Sequence, residues 1–408
     1  MKRASLASLV LLFLFAGVGP VPRAVAQRPA ATPEPAAIPF ELATRHVLVK
    51  VTVNQSRPLS FVLDTGAHIA IIRTAVAREL GLKLEGKVNV GGAGTGAAQT
   101  GSFVRDATWS LVGLSGFSQR LSLALPLPEL PPALGRDIDG IIGGEFIKDF
   151  VLELDYQAKM IRLHDPATFS YSGPGEAVPI EFVSVTHPVV TATVTPIGGT
   201  PVERRFILDI GSGAALALHS PFVAEQNLLA PGARTIRSIG GAGAGGKTVG
   251  QLGRVESLSI GSFTISQPIT MFSRDTAGAF ANPSLAGNIG AQIAMRFRSY
   301  LDYGRRRIIL ERSPIFGEPF DRAFSGLALR AQGDDYRTFR VLEVLENSPA
   351  TAAGIREGDI IMSIDDLPAE RLTMSLINEM FEKPLSYALT IRRGQQTLKT
   401  TLTPRRLI

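Results

Sequence analysis

Two aspartates stand at the same point of two similar segments. Phe61–Gly66 reads FVLDTG and Phe206–Gly211 reads FILDIG, so an apolar strand runs into Asp64 and into Asp209. Two carboxyl groups held close together cannot both ionise cheaply, and they share one proton. The ionised group can take a proton from a bound water while the protonated group donates to a carbonyl oxygen under attack. The pattern indicates a paired-carboxylate site in which water is the nucleophile and no cofactor is implied.

The aspartates lie in an internal duplication. IIG at Ile141–Gly143 and NIG at Asn288–Gly290 follow their aspartates at nearly the same distance. Each copy then ends on a similar segment, LDYQAKMIRL at Leu154–Leu163 and LDYGRRRIIL at Leu301–Leu310, which predicts two strands joined by a turn. Landmarks repeated in the same order predict that one lobe occurs twice. The polar Asn288, which stands where the first copy has Ile141, suggests that the second copy has drifted.

Each copy also contains a glycine-rich stretch, GGAGTG at Gly91–Gly96 and GGAGAGG at Gly240–Gly246. Gly241–Thr248 matches the phosphate-binding pattern G-x-x-x-x-G-K-[ST], which requires a helix to follow the loop directly. A helix would have to begin at Lys247, but Val249–Gly253 contains two glycines in a strand-like pattern. We therefore expect no nucleotide site, and a nucleotide-binding enzyme is the weakest alternative.

The first residues have the pattern of an export signal. Lys2 and Arg3 precede an apolar run from Leu6 to Val18, and AVA at Ala24–Ala26 fits cleavage before Gln27. We expect an exported protein, periplasmic or extracellular, that stays membrane-associated if the signal is not cleaved. The absence of Cys excludes disulfides, Cys-ligated metals and a Cys nucleophile.

The charge pattern argues against a nucleic-acid partner. The formal net charge is only +6, and no basic run is interleaved with aromatic residues. Arg305–Arg307 falls in the predicted turn of the closing hairpin and is interpreted as a solvated tip. The five histidines show no metal-ligand spacing. His68, four residues after Asp64, is the one histidine that we expect near the site.

The chain as a whole predicts a mainly β protein. β-branched segments such as Val47–Val53 alternate apolar and polar residues between Gly and Pro turns. Short helices are predicted at Thr74–Leu80, with Thr74 as the N-cap, and from a cap at Ser220. The predicted organisation is a signal peptide at 1–26, a Pro/Ala-rich linker at 27–37, a first copy at 38–165, a linker at 166–176, a second copy at 177–312, a linker at 313–325 and a third unit at 326–404.

FVLDTGA, with the downstream IIG and LDYxxxxIxL, resembles the aspartic proteases. The similarity is closest to the bacterial retropepsin-like group, duplicated within one chain as in the pepsin layout, and covers about residues 38–312. It implies two β-barrel-like lobes with a cleft between them. It also implies that Asp64 and Asp209 are the catalytic pair and that the Thr65 hydroxyl braces the opposite loop. The residues that this resemblance places in support of the dyad are Thr65, Gly66, Gly211 and Ser212.

One residue departs from the family pattern. Ile210 stands where the family has Thr or Ser, so a brace can exist on one side only. Because catalysis depends on close placement of the reacting groups, a catalytically weak or inactive peptide-binding scaffold remains the alternative to an active enzyme.

The glycine-rich stretches fall where the family has flap hairpins over the cleft. Gly permits tight turns and movement, which suits a lid that opens for a chain and then excludes water. A loose surface hairpin remains the alternative for either stretch. The flap positions are Gly91, Gly92, Gly94, Gly96, Gly240, Gly241 and Gly243.

The third unit resembles a PDZ domain of the circularly permuted type found in bacterial envelope proteases. The resemblance rests on SPA, AGI, GDII and SID, in that order, within Ser348–Asp365. It implies that a helix at Thr373–Phe381 flanks a groove and that a PDZ ligand adds to a sheet edge as a strand. The loop that would receive a peptide carboxylate is Gly326, Leu327, Ala328 and Leu329. A module that only packs against the protease remains the alternative.

These patterns together predict an exported aspartic-type endopeptidase. Its substrates would be polypeptides in extended conformation, and its PDZ domain would recruit a substrate or partner by a peptide end. Activity should be highest at mildly acidic pH, where the two carboxyl groups share one proton.

Overall fold

The computed structural model describes residues 35–96, 98–111, 114–118 and 121–408. The predicted signal peptide and all but the last residues of the Pro/Ala-rich linker lie outside this part of the chain. The described residues are mainly β, as the sequence predicts, and form five sheets connected by short helices.

The first copy forms a ten-stranded sheet and the strands that flank it. Its elements are β1 (Ala36–Pro39), β2 (Glu41–Ala43), β3 (His46–Val53), β4 (Leu59–Leu63), β5 (Ile71–Arg73), α1 (Thr74–Glu79), β6 (Leu84–Val90), β7 (Gln99–Arg105), β8 (Thr108–Leu111), β9 (Leu114–Ser118), β10 (Leu121–Leu125), α2 (Leu130–Leu134), β11 (Gly140–Ile142), α3 (Gly144–Ile147), β12 (Val151–Asp155) and β13 (Met160–His164). The sheet order is β6-β7-β10-β5-β11-β4-β3-β8-β9, and β2 pairs with β3.

The second copy repeats this arrangement. Its elements are β14 (Glu176–Pro179), β15 (Glu181–Val183), β16 (His187–Thr195), β17 (Val202–Asp209), β18 (Leu216–Leu218), α4 (Ser220–Glu225), β19 (Ile236–Arg237), β20 (Ala242–Gly243), β21 (Gly246–Lys247), β22 (Gly250–Arg254), β23 (Ser257–Ile260), β24 (Phe263–Ser266), β25 (Ile269–Ser273), a 3₁₀ helix at Ala279–Ala281, β26 (Gly287–Gly290), α5 (Ala291–Ala294), β27 (Phe297–Asp302) and β28 (Arg307–Arg312). The order β19-β22-β25-β18-β26-β17-β16-β23-β24, with β15 beside β16, matches the first sheet strand for strand. The repeated order in space supports the duplication inferred from the sequence.

A third sheet joins the two copies. Its order is β1-β13-β12-β27-β28-β14, so the predicted closing hairpins β12–β13 and β27–β28 lie side by side. β12 and β27 are antiparallel, with Leu152 opposite Leu301. Glu153, which is 3 % exposed, accepts hydrogen bonds from Arg162 and His164 of the same copy and from Arg298 of the other. The joining sheet therefore contains a buried carboxylate whose partly exposed partners come from both copies.

The C-terminal unit is a small sheet with a helix at one edge. Its elements are β29 (Leu327–Gln332), β30 (Thr338–Val344), α6 (Pro349–Ala352), β31 (Ile360–Ile364), β32 (Leu367–Pro368), a 3₁₀ helix at Ala369–Arg371, α7 (Met374–Phe381), β33 (Tyr387–Arg393) and β34 (Gln396–Leu402). The order is β29-β30-β31-β33-β34, with β32 beside β31. β29 is thus an edge strand. The hydrophobic core of the C-terminal unit is separate from the core of the two copies.

The strand that leads into Asp64 is fully buried. All five residues of β4 are buried, and Phe61 packs edge-on against Trp109 with ring centroids 5.6 Å apart. Such continuous apolar strands are typical of positions covered on both faces. The rigid strand fixes where the following residue, Asp64, enters the site.

Two local expectations were wrong in detail. The N-cap of α1 is Arg73, not Thr74, and the N-cap of α4 is His219, not Ser220. The Ser220 hydroxyl instead donates to the Asp275 carbonyl at 2.6 Å, so a tertiary contact takes the group that the cap required.

The arginine tip is not merely solvated. Arg305 and Arg307 both donate to Asp302, whose side chain is fully buried, at 3.2 and 2.9 Å. The cause is that Asp302 needs compensating donors once the joining sheet has buried it.

Candidate active site

Each aspartate stands at the carboxyl end of a strand, which is fully buried before Asp64 and only partly buried before Asp209. β4 ends at Leu63, immediately before Asp64, and β17 ends at Asp209. β4 runs parallel to β11, and β17 runs parallel to β26. The Asp64 N–H donates to the Ile142 carbonyl at 3.0 Å, and Asp209 pairs with Gly290 in register. The two downstream glycine motifs therefore lie beside the two aspartates, one in each copy.

The carboxyl groups of Asp64 and Asp209 meet between the copies and hydrogen-bond to each other. The Gly66 N–H donates to Asp64 Oδ1 at 2.7 Å, and the Gly211 N–H also donates to Asp64. The Ser212 N–H donates to Asp209, but its hydroxyl lies 3.4 Å from the Ala214 N–H and is not bonded to the dyad. The predicted supporting residues are thus assembled here, mainly through their backbone.

Gly66 and Gly211 lie in the turns that follow the two aspartates, and neither has room for a side chain there. Neither glycine has a positive φ. A Cβ on Gly66 would lie 2.9 Å from Asp209 Oδ1, and one on Gly211 would lie 2.1 Å from Asp64 Cγ. Each glycine leaves room for the carboxyl group of the other copy.

The surroundings favour one shared proton. Both aspartates are half-buried by surface exposure, but protein atoms enclose their carboxyl groups, and this low-polarity setting disfavours charge. Burial, together with the neighbouring charge of Asp209, raises the pKa of Asp64 to about 8. Burial also raises the pKa of Asp209, while hydrogen bonds from Asn288 and Asp64 oppose that rise. The pair therefore has one carboxyl that keeps its proton over a wide pH range.

Thr65 braces the opposite loop, as the resemblance implies. Its fully buried hydroxyl donates to the Leu208 carbonyl at 2.5 Å and accepts from the Ile210 N–H at 3.1 Å. Ile210 packs into the apolar core instead and has no hydroxyl to return the contact. The brace is one-sided.

Asn288, which the sequence suggests is a mark of drift, touches the dyad. Its Nδ2 donates to Asp209 Oδ2 at 2.7 Å, and its Oδ1 lies 2.9 Å from His219 Nε2. Asn288 is therefore part of the site, and the suggestion that the second copy has drifted stays a prediction. The available signal was the position itself, since Asn288 lies two residues before the glycine that pairs with Asp209.

The expectation for the histidines also needs correction. The His68 Nδ1 lies 2.9 Å from the Thr186 hydroxyl. The charge of Asp209 acts instead on His46 and His187, the first residues of β3 and β16, and burial lowers the pKa of both. These two histidines occupy equivalent places in the two copies, which an alignment of the copies would have revealed.

The glycine-rich stretches form two facing hairpin tips. The first flap (residues 91–96 and 98) lies between β6 and β7, and the second flap (residues 240–248) contains β20 and β21. The Gly96 N–H donates to the Gly245 carbonyl at 2.6 Å, the Gly245 N–H to the Ala93 carbonyl at 2.8 Å, and the Thr95 N–H to the Lys247 carbonyl at 3.0 Å. The flaps are therefore hydrogen-bonded to each other, backbone to backbone.

The flap glycines differ in what they do. A Cβ on Gly94, whose φ is +111°, would lie 2.4 Å from the Gly246 carbonyl oxygen, and one on Gly92 would lie 2.7 Å from the Ala244 Cβ. Gly91, by contrast, has open space around it. Gly96 lies against Gly245 of the second flap, and Gly243 lies against Ala93 of the first flap. Gly241 lies against Thr248, and Gly240 lies against Ala328 of the C-terminal unit.

The second flap also excludes the nucleotide interpretation. Gly246–Lys247 is a strand paired with Ala242–Gly243, and β22 follows it. No helix begins at Lys247, so the phosphate-binding pattern lacks its required context.

The C-terminal unit contacts both copies. The Thr44 N–H donates to the Ser375 hydroxyl at 3.0 Å, and Glu382 accepts from Arg45 and Arg322. These contacts join α7 to the turn between β2 and β3, which leads into His46.

The edge of the C-terminal sheet is covered by the first copy. α2 packs against β29 and α7. Gly135, which caps α2, would place a Cβ 2.4 Å from Met374 Cγ and 3.5 Å from Ala331 Cβ. Arg330 of β29 pairs with Glu129 at 2.7 Å. A peptide that adds to β29 must therefore displace this segment of the protein itself.

The predicted carboxylate loop is partly engaged. Gly326 has a φ of +81° and lies against Ser348, and the Leu327 N–H donates to Ser325 Oγ at 3.2 Å. Ala328 lies beside Gly240 at the base of the second flap, and Leu329 follows within β29. The loop, the second flap and α2 thus meet in one place.

Two further observations concern the described residues alone. They contain no cluster of three or more His, Cys, Asp or Glu side chains arranged to hold a metal ion. Within the same residues, no helix reaches the length and apolar character needed to span a membrane.

Comparison with known proteins supports the two halves of the resemblance. The profile of the family described as Aspartyl protease matches residues 49–146, and that of the PDZ domain matches residues 317–391. A serine protease HTRA1 from Xenopus laevis is 34 % identical over 67 residues, which are 16 % of this chain and 14 % of that relative. The chain thus spans about one seventh of the length of this relative.

A crystal structure of the HtrA3 PDZ domain bound to a phage-derived ligand (FGRWV) is 26 % identical, covers 21 % of this chain and 86 % of that one, and has a TM-score of 0.19. The chain carries an aspartyl protease domain, matched over residues 49–146, followed by a PDZ domain, matched over residues 317–391.

Proposed function

We propose that the protein is an aspartic-type endopeptidase in which Asp64 and Asp209 are the catalytic pair. The observation that carries this proposal is the hydrogen-bonded contact of two carboxyl groups, each at the end of an equivalent strand in one of two copies. The raised pKa of Asp64, about 8, supplies a protonated acid beside a carboxylate at mildly acidic pH.

The reaction needs no group beyond water. The ionised carboxylate takes a proton from a water held between the pair, and the water oxygen attacks the peptide carbonyl. The protonated carboxyl donates to the carbonyl oxygen as it gains charge. The one-sided Thr65 brace keeps the two loops in register, because its hydroxyl bonds both the carbonyl and the N–H of the opposite loop.

The substrates we propose are polypeptides in extended conformation. Three backbone hydrogen bonds join the flap tips to each other. A substrate strand under the flaps would replace these bonds with equivalent backbone bonds, so opening and binding can offset each other in free energy.

For the PDZ domain we propose a peptide or C-terminal ligand that adds to β29. Such a ligand competes with α2 and Gly135 for the same edge. Recruitment of a substrate or partner then requires the PDZ domain to shift away from the first copy. We further propose that the protein acts after export, in the periplasm or outside the cell, and stays membrane-associated if residues 1–26 are retained.

The proposal is tested by cleavage of an unfolded protein substrate between pH 4 and 7. Asp64→Asn and Asp209→Asn should each abolish cleavage, because either change removes the shared proton arrangement. Asp366→Asn, an exposed aspartate of the PDZ domain, is the matched control and should cleave like the parent. Cleavage that survives in either dyad variant would refute the assignment.

A peptide-binding scaffold without catalysis is the second candidate. Two observations favour it: Ile210 leaves the brace one-sided, and the flaps are bonded to each other. A parent protein that cleaves nothing at any pH, while peptide ends still bind to the PDZ domain, would establish this alternative.

A further inference from the structure

Asn288 is placed to act on one carboxyl group of the dyad. It lies in β26 opposite Ile207, two residues before Asp209 in β17, and is 9 % exposed. Its Nδ2 lies 2.7 Å from Asp209 Oδ2, a short distance for a donor to a carboxylate. A buried amide at this distance stabilises a negative charge on Asp209.

A second residue orients the amide. His219 is 1 % exposed, its ring packs on Phe280, and burial lowers its pKa. Its Nε2 lies 2.9 Å from Asn288 Oδ1, and as an N–H it donates to that oxygen. With Oδ1 held by His219, only the Nδ2 donor is left to face Asp209.

The first copy has no such donor. The equivalent position there is Ile141, which pairs with Val62 in β4 just as Asn288 pairs with Ile207 in β17. The donors to Asp64 are instead the backbone N–H groups of the two glycines that follow the aspartates. The amide side chain is thus a donor that Asp209 has and Asp64 lacks.

We propose that Asn288 is a positioning residue that makes Asp209 the ionised general base and leaves the proton on Asp64. This inference rests on the proposed function. The water O–H bond then breaks toward Asp209 as the water oxygen bonds to the peptide carbon. The Asp64 O–H bond breaks toward the carbonyl oxygen, which receives the carbonyl π electrons. In the second step Asp209 returns its proton to the leaving nitrogen as the C–N bond breaks, and Asp64 regains its proton from the hydroxyl.

Asn288 is not itself titratable, so its replacement leaves the other titratable groups that act on Asp209 in the chain. They are Asp64, which shares the proton, and the two histidines His46 and His187 at the strand starts. Asn288→Leu also removes a hydrogen-bond partner of His219, whose pKa that bond raises, so the titration of His219 is followed together with that of the two aspartates.

The test is a carbon-13 NMR titration of the aspartate carboxyl groups, assigned with Asp64→Asn and Asp209→Asn. In the parent, Asp209 should ionise at lower pH than Asp64. Asn288→Leu, which keeps the shape and removes the donor, should raise the pKa of Asp209 by about one unit, the size expected for a lost hydrogen bond to a charged group. Ile141→Asn should lower the pKa of Asp64.

Activity supplies a second readout. The acid limb of kcat/KM against pH should move to higher pH by the same amount in Asn288→Leu, whereas a purely structural loss would lower kcat/KM equally at every pH. A parent in which Asp64 ionises first, or an unchanged pKa of Asp209 in Asn288→Leu, would overturn the inference. If Asn288→Leu does not fold, the inference is still tested by whether Asp209 ionises at lower pH than Asp64 in the parent protein. The titration needs no cleavage, so an inert protein refutes the proposed function without removing this test.

Discussion

Replacing Thr65 by Val tests the one-sided brace directly. Val keeps the shape of Thr and removes only the hydroxyl. The change leaves the Leu208 carbonyl and the Ile210 N–H, two backbone groups of the opposite loop, without their partner in a buried setting. Because a buried polar group cannot turn to water there, we expect the full cost of leaving it unpaired.

The magnitude follows from the two bonds. Each unsatisfied group costs about 1–3 kcal/mol, so Thr65→Val should lower the free energy of unfolding by about 3 kcal/mol. Thr65→Ser is the matched control, because it keeps the hydroxyl and loses one methyl group. That loss should cost only about 1 kcal/mol.

The assay is urea denaturation followed by the fluorescence of Trp109. This residue is the single tryptophan of the chain, is fully buried, and packs on Phe61 in the strand that leads into the site. The reasoning is refuted if Thr65→Val unfolds within about 0.5 kcal/mol of the parent, or if Thr65→Ser is as unstable as Thr65→Val.

Three further predictions concern charge. Burial raises the pKa of Asp64 to about 8, so its stabilising contribution is complete below its unfolded pKa near 4 and is lost as pH rises to about 8. Asp64→Asn should therefore flatten the fall in unfolding free energy between pH 5 and 8, and an unchanged slope would contradict this. Although burial alone would raise the pKa of Glu153, hydrogen bonds from His164 and Arg298 lower it to about 2. Its contribution should be complete above about pH 4.5 and be lost toward pH 2, and Glu153→Gln should cost about 3 kcal/mol at pH 7 by urea denaturation. Glu382→Gln should weaken the contact of the PDZ domain with the first copy and so speed hydrogen exchange in α2, because Glu382 accepts from Arg45 and Arg322. Glu379→Gln, a change at an exposed residue of α7, is the control and should leave that exchange unchanged. Equal exchange rates in the two variants would exclude docking through Glu382.

Much of the architecture was predictable because the signals that reveal the duplication are short sequence patterns. The apolar strands before Asp64 and Asp209, the closing hairpins and the glycine-rich stretches depend on side-chain alternation and turn residues, which act over a few positions. Both helices near Thr74 and Ser220 were also found. Their caps were misassigned, because the Ser220 hydroxyl is taken by a partner 55 residues away, the Asp275 carbonyl.

The parts of the site that were missed depend on contacts across the fold. Asn288 reaches Asp209 only because β26 runs parallel to β17, and His219 reaches Asn288 across 69 residues. His46 was not recognised because it precedes Asp64 by 18 residues, far outside any motif. Spacing along the chain does not reveal which side chains a parallel pair of strands places together.

The sequence by itself determined that two equivalent lobes each contribute a strand ending in Asp, and that a PDZ unit follows them. The reason is that hydrophobic alternation and repeated motifs specify local structure independently of how the segments pack in the fold. Only the tertiary structure decided that the flaps bond to each other, that α2 covers β29, and that one aspartate has an amide partner which the other lacks. These features arise from how two nearly equal copies and a third unit pack, where single differences such as Asn288 for Ile141 break the symmetry.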